Sequence, residues 1–331
     1  MFSNLFKSSA PIFRIRIALL LLLVLMGIGV AGYWVWSDGG FSQRLIRTKT
    51  GLLAYSGMKK STNEANRNCP LSIPLSNAFE INCIAHINPK ASKTLVVWGD
   101  SQAQSWLPAF EAIAKENDVQ LYVLAHHGCP PIQGVRRTDG LTALPCSTIR
   151  SMDPIIEDII GLNPQAVVLV ARWSLYANGW IKEGRLQDAT HFLTVNKAGI
   201  ANQETSRAAL ELQIPNTIGR LNRANIKVLV IQNPPILNFD VFNPRKTKQQ
   251  IQVTRAEYQQ QNQFIDQIFS GLNLTYSYDP SKKLCPDSQS QCITEQDGKV
   301  LYRDDNHLSK DGALWFMGDI QKMLKSMQVL H

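Results

Sequence analysis

The feature that most limits the possible folds is a strand, a tight turn and a helix predicted in direct succession over residues 94–117. Residues 95–98 form a continuous apolar run, which is typical of a strand covered on both faces of a parallel sheet. Gly99-Asp100-Ser101 then turns the chain, and residues 103–117 have the apolar spacing of an amphipathic helix. Ser101 is therefore expected at the carboxyl edge of the sheet, where open α/β sheets bind their ligands.

From residue 93 onward, apolar runs alternate with amphipathic stretches. The sequence predicts strands at 94–98, 120–125, 166–171, 227–232 and 274–278. It predicts helices at 103–117, 153–161, 201–224, 248–271 and 309–326. Because strands that alternate with helices usually pair in parallel, we expect a three-layer α/β/α sandwich with a mainly parallel sheet and right-handed connections.

Two residues near the C-terminal end have the chemistry to activate Ser101. Asp304 and His307 lie three positions apart on a predicted loop before the last predicted helix. A carboxylate there can accept a hydrogen bond from one imidazole nitrogen, which leaves the other nitrogen to take a proton from a serine hydroxyl. The sequence thus predicts a catalytic triad in which Ser101 is the nucleophile, His307 the base and Asp304 its orienting partner.

Each of these residues also has a simpler interpretation. Ser101 would serve equally as the cap of the following helix, which is a common role for serine. His307 taken alone would be an ordinary core or surface histidine, and one of the adjacent Asp304 and Asp305 would be a surface charge. The occurrence of both motifs at opposite ends of one α/β pattern favours the triad.

Four short motifs carry a resemblance to a known family. They are Gly99-Asp100-Ser101, Gly128-Cys129-Pro130-Pro131, the Ala-Arg-Trp-Ser-Leu-Tyr run at 171–176, and Asp304-x-x-His307-Leu308-Ser309. Over residues 90–330 the sequence resembles the SGNH (GDSL-like) hydrolase superfamily, and more narrowly the SGNH domain fused to polytopic membrane acyltransferases that O-acetylate surface glycans. The resemblance implies an SGNH hydrolase-like fold, serine-based acyl chemistry and no cofactor.

An anionic intermediate on Ser101 needs hydrogen-bond donors. The backbone N–H of Ser101, at the start of a predicted helix, is the first candidate. The resemblance implies Gly128 as the second donor, and the alternative is a plain turn glycine. The third donor of the superfamily is an asparagine in a Gly-x-Asn motif, and this sequence has Ala171-Arg172-Trp173 instead.

Three residues at or near the position where this sequence lacks the Gly-x-Asn motif are candidates for substrate binding. Arg172 is expected to supply charge or to bind a glycan, and Trp173 and Tyr176 to stack on a sugar ring. The alternative is that these side chains only pack or form a surface ion pair. No metal is expected, because the adjacent His126 and His127 point in different directions from a strand end and have no further ligands beside them.

An apolar segment precedes the predicted sheet. Residues 17–36 carry no charge over 20 positions, which is long enough to cross a bilayer as a helix. Its far end carries aromatic residues that favour the membrane–water boundary, Tyr33, Trp34 and Trp36. We expect an uncleaved anchor, and a cleaved signal peptide is the alternative.

The expected organisation is a cytoplasmic N-terminus at 1–16, the anchor at 17–36, a juxtamembrane stalk and disulfide-tied lead-in at 37–92, and the SGNH hydrolase-like domain at 93–331.

The net charge of +8 does not indicate a nucleic-acid-binding protein. Seven of these net charges lie before residue 68, three ahead of the apolar segment and four soon after it, so the predicted catalytic region is nearly neutral. We therefore expect the basic stretch to be solvated or to face lipid, and we expect no nucleic-acid partner.

All six cysteines follow the apolar segment. They fall into three local pairs, Cys69 with Cys83, Cys129 with Cys146 and Cys285 with Cys292, although sequence alone leaves other connectivities open. A zinc site does not fit, because no pair has the C-x-x-C spacing and no histidine cluster accompanies them. Disulfides imply an oxidising compartment, so we expect a single-pass protein of the bacterial inner membrane with its catalytic domain in the periplasm.

The triad, the apolar segment and the cysteines predict a membrane-anchored periplasmic serine enzyme with an acyl-serine intermediate. The resemblance to acyltransferase-linked SGNH domains implies that it is an O-acyltransferase that acetylates cell-envelope polysaccharide. The alternatives are a carbohydrate acetyl esterase with the same triad and a non-catalytic glycan-binding or assembly factor. In the family that the sequence resembles, a polytopic domain delivers the acyl group across the membrane. Because this sequence has one apolar segment, we expect a separate polytopic membrane protein to act as the acyl donor.

Overall fold

The computed structural model of the protein divides into two compact units, Met1–Tyr55 and Ser56–His331. The residues that it describes are 11–37, 47–48, 51–52, 82–137, 146, 153–182, 185–188, 191–196, 199–243, 245–272 and 276–330. The predicted Cys69–Cys83 disulfide and most of the predicted stalk lie outside these residues.

In the first unit, an apolar helix precedes a short hairpin. Helix α1 (Pro11–Ser37) is followed by strands β1 (Arg47–Thr48) and β2 (Gly51–Leu52), which pair antiparallel. The segment Ile15–Tyr33 of α1 has a mean hydropathy of 2.5 and is long enough to cross a membrane. A signal sequence near an N-terminus meets the same criteria of length and composition.

The second unit is built on a six-stranded sheet. Its strands are β3 (Asn82–His86), β4 (Lys93–Gly99), β5 (Val119–Ala125), β7 (Ala166–Val170), β11 (Lys227–Ile231) and β12 (Ser277–Tyr278). Their order across the sheet is β12-β11-β7-β4-β5-β3, and all neighbours run parallel except β3, which pairs antiparallel with β5 at the edge. The predicted mainly parallel α/β sheet is confirmed.

Eight helices and three pairs of short strands make up the rest of the secondary structure described in this unit. The helices are α2 (Ser101–Glu116), α3 (Asp153–Gly161), α4 (Trp173–Asn178), α5 (Gln203–Arg223), α6 (Lys248–Ile251), α7 (Arg255–Gly271), α8 (Ser281–Leu284) and α9 (Lys310–Ser326). The short strands pair antiparallel as β6 (Arg136–Arg137) with β10 (Leu193–Thr194), β8 (Trp180–Lys182) with β9 (Arg185–Asp188), and β13 (Glu295–Gln296) with β14 (Lys299–Val300).

The side chains of β4 alternate between two cores, one on each face of the sheet. Leu95 and Val97 pack into the core that α2 and α9 cover. Val96 and Trp98 pack into the opposite core, to which α3, α5 and α7 contribute. Since successive side chains of a strand point to opposite faces, a strand buried on both faces must be apolar throughout, as 95–98 is. This arrangement is the expected three-layer sandwich.

Helices α2 and α9 lie side by side on one face. The rings of Trp106 in α2 and Phe316 in α9 have centroids 5.1 Å apart and are fully buried. Near the other end of α2, the Gln321 side-chain amide donates to a carboxylate oxygen of Glu116 at 3.0 Å. The two helices therefore pack along much of the length of α2.

Two predicted elements differ from the structure. The single helix expected at 248–271 is interrupted after Ile251, because Thr254 forms a capping box with Glu257 that begins α7 anew. The strand expected at 274–278 is shorter, since the described part of β12 begins at Ser277. Two of the predicted disulfides, Cys129–Cys146 and Cys285–Cys292, are present.

Candidate active site

Ser101 is the first residue of α2, directly after the end of β4. The turn depends on Gly99, where a Cβ atom would overlap the carbonyl oxygen of Val170 in the neighbouring strand β7. Asp100 then caps the helix, since its Oδ1 accepts the backbone N–H of Gln102 at 2.8 Å. Ser101 itself is half-buried. Because it follows the end of β4 closely, it lies at the carboxyl edge of the sheet.

A tight loop before α9 carries Asp304 and His307. Tyr302 and Leu308 form an antiparallel bridge at its base, and the Arg303 backbone N–H donates to the His307 carbonyl at 3.0 Å. The buried Tyr302 hydroxyl donates to the Pro235 carbonyl at 3.0 Å, which ties the loop to the segment after β11. Both ends of the loop are thus anchored.

The structure brings Ser101, His307 and Asp304 together. Nε2 of His307 lies 2.7 Å from Oγ of Ser101, and Nδ1 of His307 lies 2.8 Å from Oδ2 of Asp304. The second carboxylate oxygen of Asp304 accepts the backbone N–H groups of His307 at 2.7 Å and Asn306 at 2.9 Å. These contacts have the geometry by which a carboxylate orients an imidazole toward a serine hydroxyl.

The surroundings of Asp304 keep its carboxylate ionised. Burial alone would raise the pKa of Asp304, but its hydrogen bonds with His307, the charge of His307 and the Asn306 amide outweigh burial and lower the pKa to about 2. The neighbouring Asp305 instead accepts the Asn306 side-chain amide at 2.6 Å. Asp304 therefore stays ionised at any pH at which an imidazole acts as a base.

Gly128 lies in the turn after β5, near the same sheet edge. The backbone N–H of His126 donates to the Gly99 carbonyl at 2.7 Å, which holds the start of this turn against the end of β4. Gly128 has a φ of +69°, and its carbonyl accepts Nη1 of Arg137 at 3.0 Å. A Cβ at this position would meet the Arg137 guanidinium, so both the φ and the space favour glycine here.

The adjacent His126 and His127 lie in the turn after β5. His126 is buried, and this burial, together with the nearby charge of His127, lowers the pKa of His126 to about 3. His127 is exposed beside the triad. Among the described residues, no group of three or more His, Cys, Asp or Glu side chains has the arrangement of a metal site.

The predicted sugar-stacking roles of Trp173 and Tyr176 are wrong, because both side chains are fully buried. The Trp173 Nε1–H donates to the Ile231 carbonyl at 3.0 Å, and its ring packs against Phe269. The Tyr176 hydroxyl donates to Oδ2 of Asp100 at 2.8 Å. These rings hold the turn and the sheet edge in place and present no face to a substrate.

Arg172 differs from Trp173 and Tyr176 in its hydrogen bonding. Its side chain is only 8% exposed, yet Nε has no hydrogen-bond partner among the described residues. Burial lowers the pKa of this guanidinium, and the carboxylates of Asp305, Asp100 and Asp304 oppose that shift. A buried cation with an unsatisfied donor is costly, and the nearby carboxylates offset part of that cost.

The sequence did not identify two buried polar residues that flank the triad. Gln102 follows Ser101, and Asn306 precedes His307; the Gln102 side-chain amide donates to Asn306 across the site. Each residue is adjacent to a triad member, but no motif links a glutamine in one segment to an asparagine more than two hundred residues away.

Comparisons with known proteins identify the family of this chain. Residues 64–322 match the model of a family described as an SGNH domain fused to AT3 domains. No curated protein sequence matches the chain significantly. The periplasmic domain of the lipopolysaccharide acetyltransferase of Salmonella ser. Paratyphi A is structurally similar, with a TM-score of 0.50 and 16% sequence identity over 73% of this chain and 86% of that one.

Two further solved structures are more distant. An acetyl xylan esterase has a TM-score of 0.39 and 16% identity over 69% of this chain and 98% of its own. A lipase/acylhydrolase from Enterococcus faecalis has a TM-score of 0.40 and 12% identity over 71% of this chain and 96% of its own. The family model covers most of the chain, and the sheet order and helix layers fit it. The chain therefore belongs to the family of SGNH domains fused to AT3 domains, and it is an SGNH-type enzyme.

Proposed function

We propose that the protein is a membrane-anchored periplasmic serine O-acyltransferase that acetylates cell-envelope polysaccharide through an acyl-serine intermediate. The observation that carries the proposal is the unbroken pair of hydrogen bonds from Ser101 to His307 and from His307 to Asp304. This arrangement converts a weakly nucleophilic hydroxyl into one that can attack an ester carbonyl.

In the first half-reaction, Oγ of Ser101 attacks the carbonyl carbon of the acyl donor while Nε2 of His307 takes the hydroxyl proton. The tetrahedral oxyanion is held by the backbone N–H groups of Ser101 and Gly128, and the buried Arg172 cation adds positive charge beside it. The bond to the leaving oxygen then breaks, and His307 returns the proton to that oxygen. The products are acetyl-Ser101 and the deacylated donor.

In the second half-reaction, a hydroxyl of the acceptor glycan attacks the acetyl-Ser101 carbonyl. His307 removes the proton of that hydroxyl and returns it to Oγ of Ser101 when the ester bond to the enzyme breaks. A sugar hydroxyl as acceptor gives O-acetylation, and water gives hydrolysis. The same three side chains serve both outcomes, so acceptor binding and exclusion of water decide between them.

The membrane placement is part of the proposal. Helix α1 would anchor the chain in the inner membrane with residues 1–16 in the cytoplasm, and residues 37–92 would connect it to the catalytic domain. The Cys129–Cys146 and Cys285–Cys292 disulfides are consistent with an oxidising periplasm. The family description, an SGNH domain fused to AT3 domains, supports a polytopic membrane partner that supplies the acyl group.

A carbohydrate acetyl esterase is the second candidate. The side chains of His307 and Asp304 are 17% and 32% exposed, so solvent reaches the triad in the absence of an acceptor. Water would then take the place of the sugar hydroxyl in the second half-reaction. The esterase and the transferase differ in the direction in which they change glycan acetylation in the cell.

The test compares the full-length wild type with Ser101→Ala. Purified in detergent, the wild type should hydrolyse p-nitrophenyl acetate and the variant should lose this activity. In cells, loss of envelope-glycan O-acetylation in the variant supports the transferase, and a gain supports the esterase. Equal hydrolysis by both proteins would refute a role of Ser101 as nucleophile.

A further inference from the structure

A single buried side chain connects the two distant segments of the candidate active site. Gln102 is the residue after Ser101, and its side chain is almost fully buried at 1% exposed. Asn306 is the residue before His307 and is 7% exposed. Nε2 of Gln102 lies 3.1 Å from the Asn306 carbonyl oxygen and 3.1 Å from its Oδ1, so its two protons face two acceptors on one residue.

The Gln102 end of this contact is fixed to α2. Its backbone N–H donates to Oδ1 of Asp100 at 2.8 Å, as part of the helix cap. The single proton of the Ser105 hydroxyl faces two acceptors on Gln102, the backbone carbonyl at 2.8 Å and the side-chain Oε1 at 3.3 Å. The Gln102 amide is therefore held from several directions.

At its other end, the contact holds the peptide bond that joins Asn306 to His307. The Asn306 carbonyl and the His307 N–H belong to one peptide unit, which is planar. Gln102 bonds the carbonyl side of this peptide, and Oδ1 of Asp304 accepts the N–H side at 2.7 Å. The Asn306 side chain is held as well, since its Nδ2 donates to Asp305 at 2.6 Å.

We propose that Gln102 is a positioning residue that sets the distance between Oγ of Ser101 and Nε2 of His307. Asp304 orients the imidazole ring, while Gln102 fixes where the backbone of His307 lies relative to the helix that begins with Ser101. This inference rests on the proposed function, because it assigns Gln102 a role in that reaction. A displacement of reacting groups by about 1 Å can lower a rate by about 100-fold, so the contact matters for catalysis.

The test replaces the donor while keeping the shape of the side chain. Gln102→Met removes both donors without adding charge, and Gln102→Glu turns the donor into an acceptor that faces two other acceptors. For p-nitrophenyl acetate we expect both to lower kcat by about 100-fold with little change in KM. Gln102→His, which keeps a ring N–H donor, should recover much of that loss.

Ser105→Ala provides the matched control. It removes a buried hydrogen bond from the same amide and the same helix, but it leaves the contact between Gln102 and Asn306 in place. We expect kcat within about threefold of the wild type. A loss in Ser105→Ala as large as in Gln102→Met would mean that packing, and not the contact to Asn306, matters, and this would overturn the proposal.

An NMR readout separates this proposal from the proposed function. In protein labelled with ¹⁵N-histidine, the Nε2 shift of His307 should differ between the wild type and Ser101→Ala, because the variant lacks the Oγ partner. In Gln102→Met the shift should move to the value seen in Ser101→Ala, even if the reaction were not the one proposed. A wild-type shift in Gln102→Met, with kcat unchanged, would show that Gln102 does not position His307.

Discussion

The hydroxyl of Ser101 lies 2.7 Å from Nε2 of His307, although 206 positions separate the two residues in the chain. Two local structures create this contact, the capped start of α2 and the anchored loop before α9. Each depends on residues beside the triad, Asp100 in one case and Tyr302 in the other. The site is therefore assembled by the fold and not by one continuous motif.

Asp304→Asn should lower kcat for p-nitrophenyl acetate by about 10⁴-fold, because an amide that donates to Nδ1 favours the wrong imidazole tautomer. Asp305→Asn is the matched control, since Asp305 is adjacent and also carries a carboxylate but contacts Asn306 instead of the imidazole. We expect its kcat to stay within about threefold of the wild type. If Asp305→Asn were the more damaging of the two, the assignment of Asp304 would be wrong.

The depressed pKa of Asp304 predicts how stability depends on pH. Its pKa is about 2 in the folded chain against 3.8 for an ordinary aspartate, so ionised Asp304 stabilises the fold at pH values above 3.8. This contribution is lost as the pH falls from 3.8 through 2, because the unfolded chain takes up the proton first. Denaturant unfolding at a series of pH values should show a shallower decline over this window in Asp304→Asn than in the wild type.

Arg172→Met should lower kcat by about 10²–10³-fold and leave KM nearly unchanged, as expected for the loss of a group that stabilises an oxyanion. Trp173→Phe is the control from the next position, because the Trp173 side chain is fully buried and bonded to Ile231. It should lower the melting temperature without the large loss of kcat expected for Arg172→Met. An effect of Arg172→Met on the KM for p-nitrophenyl acetate alone would assign the guanidinium to ground-state substrate binding instead.

Removing the Cys129–Cys146 disulfide by a double substitution to serine should reduce the free energy of unfolding by about 3 kcal/mol, from the entropy of the loop that it closes. The same change at Cys285–Cys292 should cost slightly less, since that loop spans 7 positions instead of 17. Because the first disulfide follows Gly128 directly, its loss should also lower kcat, and loss of the second should not. Thermal unfolding and ester hydrolysis measure the two effects.

Much of the fold could be predicted because its signals are local. Residues 95–98 are apolar throughout, which is what burial on both faces requires, and the predicted parallel sheet follows from such runs. The break between helices after Ile251 also has a local sequence signal, since Thr247 and Thr254 each begin a Thr-x-x-Gln/Glu capping box. The prediction of one helix over 248–271 leaves these two capping boxes out.

The side-chain environment at the sheet edge could not be predicted in the same way. Arg172, Trp173 and Tyr176 lie within five residues, and sequence alone does not say which of them point toward the triad. The short helix α4 turns Trp173 and Tyr176 into the interior and leaves the Arg172 guanidinium without a partner for Nε. The contact between Gln102 and Asn306 has no local signal at all, because it depends on how two remote segments pack.

The side-by-side packing of α2 and α9 has a consequence for thermal inactivation. Ser101 begins one helix and His307 stands three residues before the other, so the nucleophile and the base belong to a common scaffold whose interior includes Trp106 and Phe316. We expect the reactive end of this scaffold to open only when its hydrophobic interface does. On heating, esterase activity should therefore vanish in step with cooperative melting of the domain, and no inactive yet folded species should accumulate beforehand.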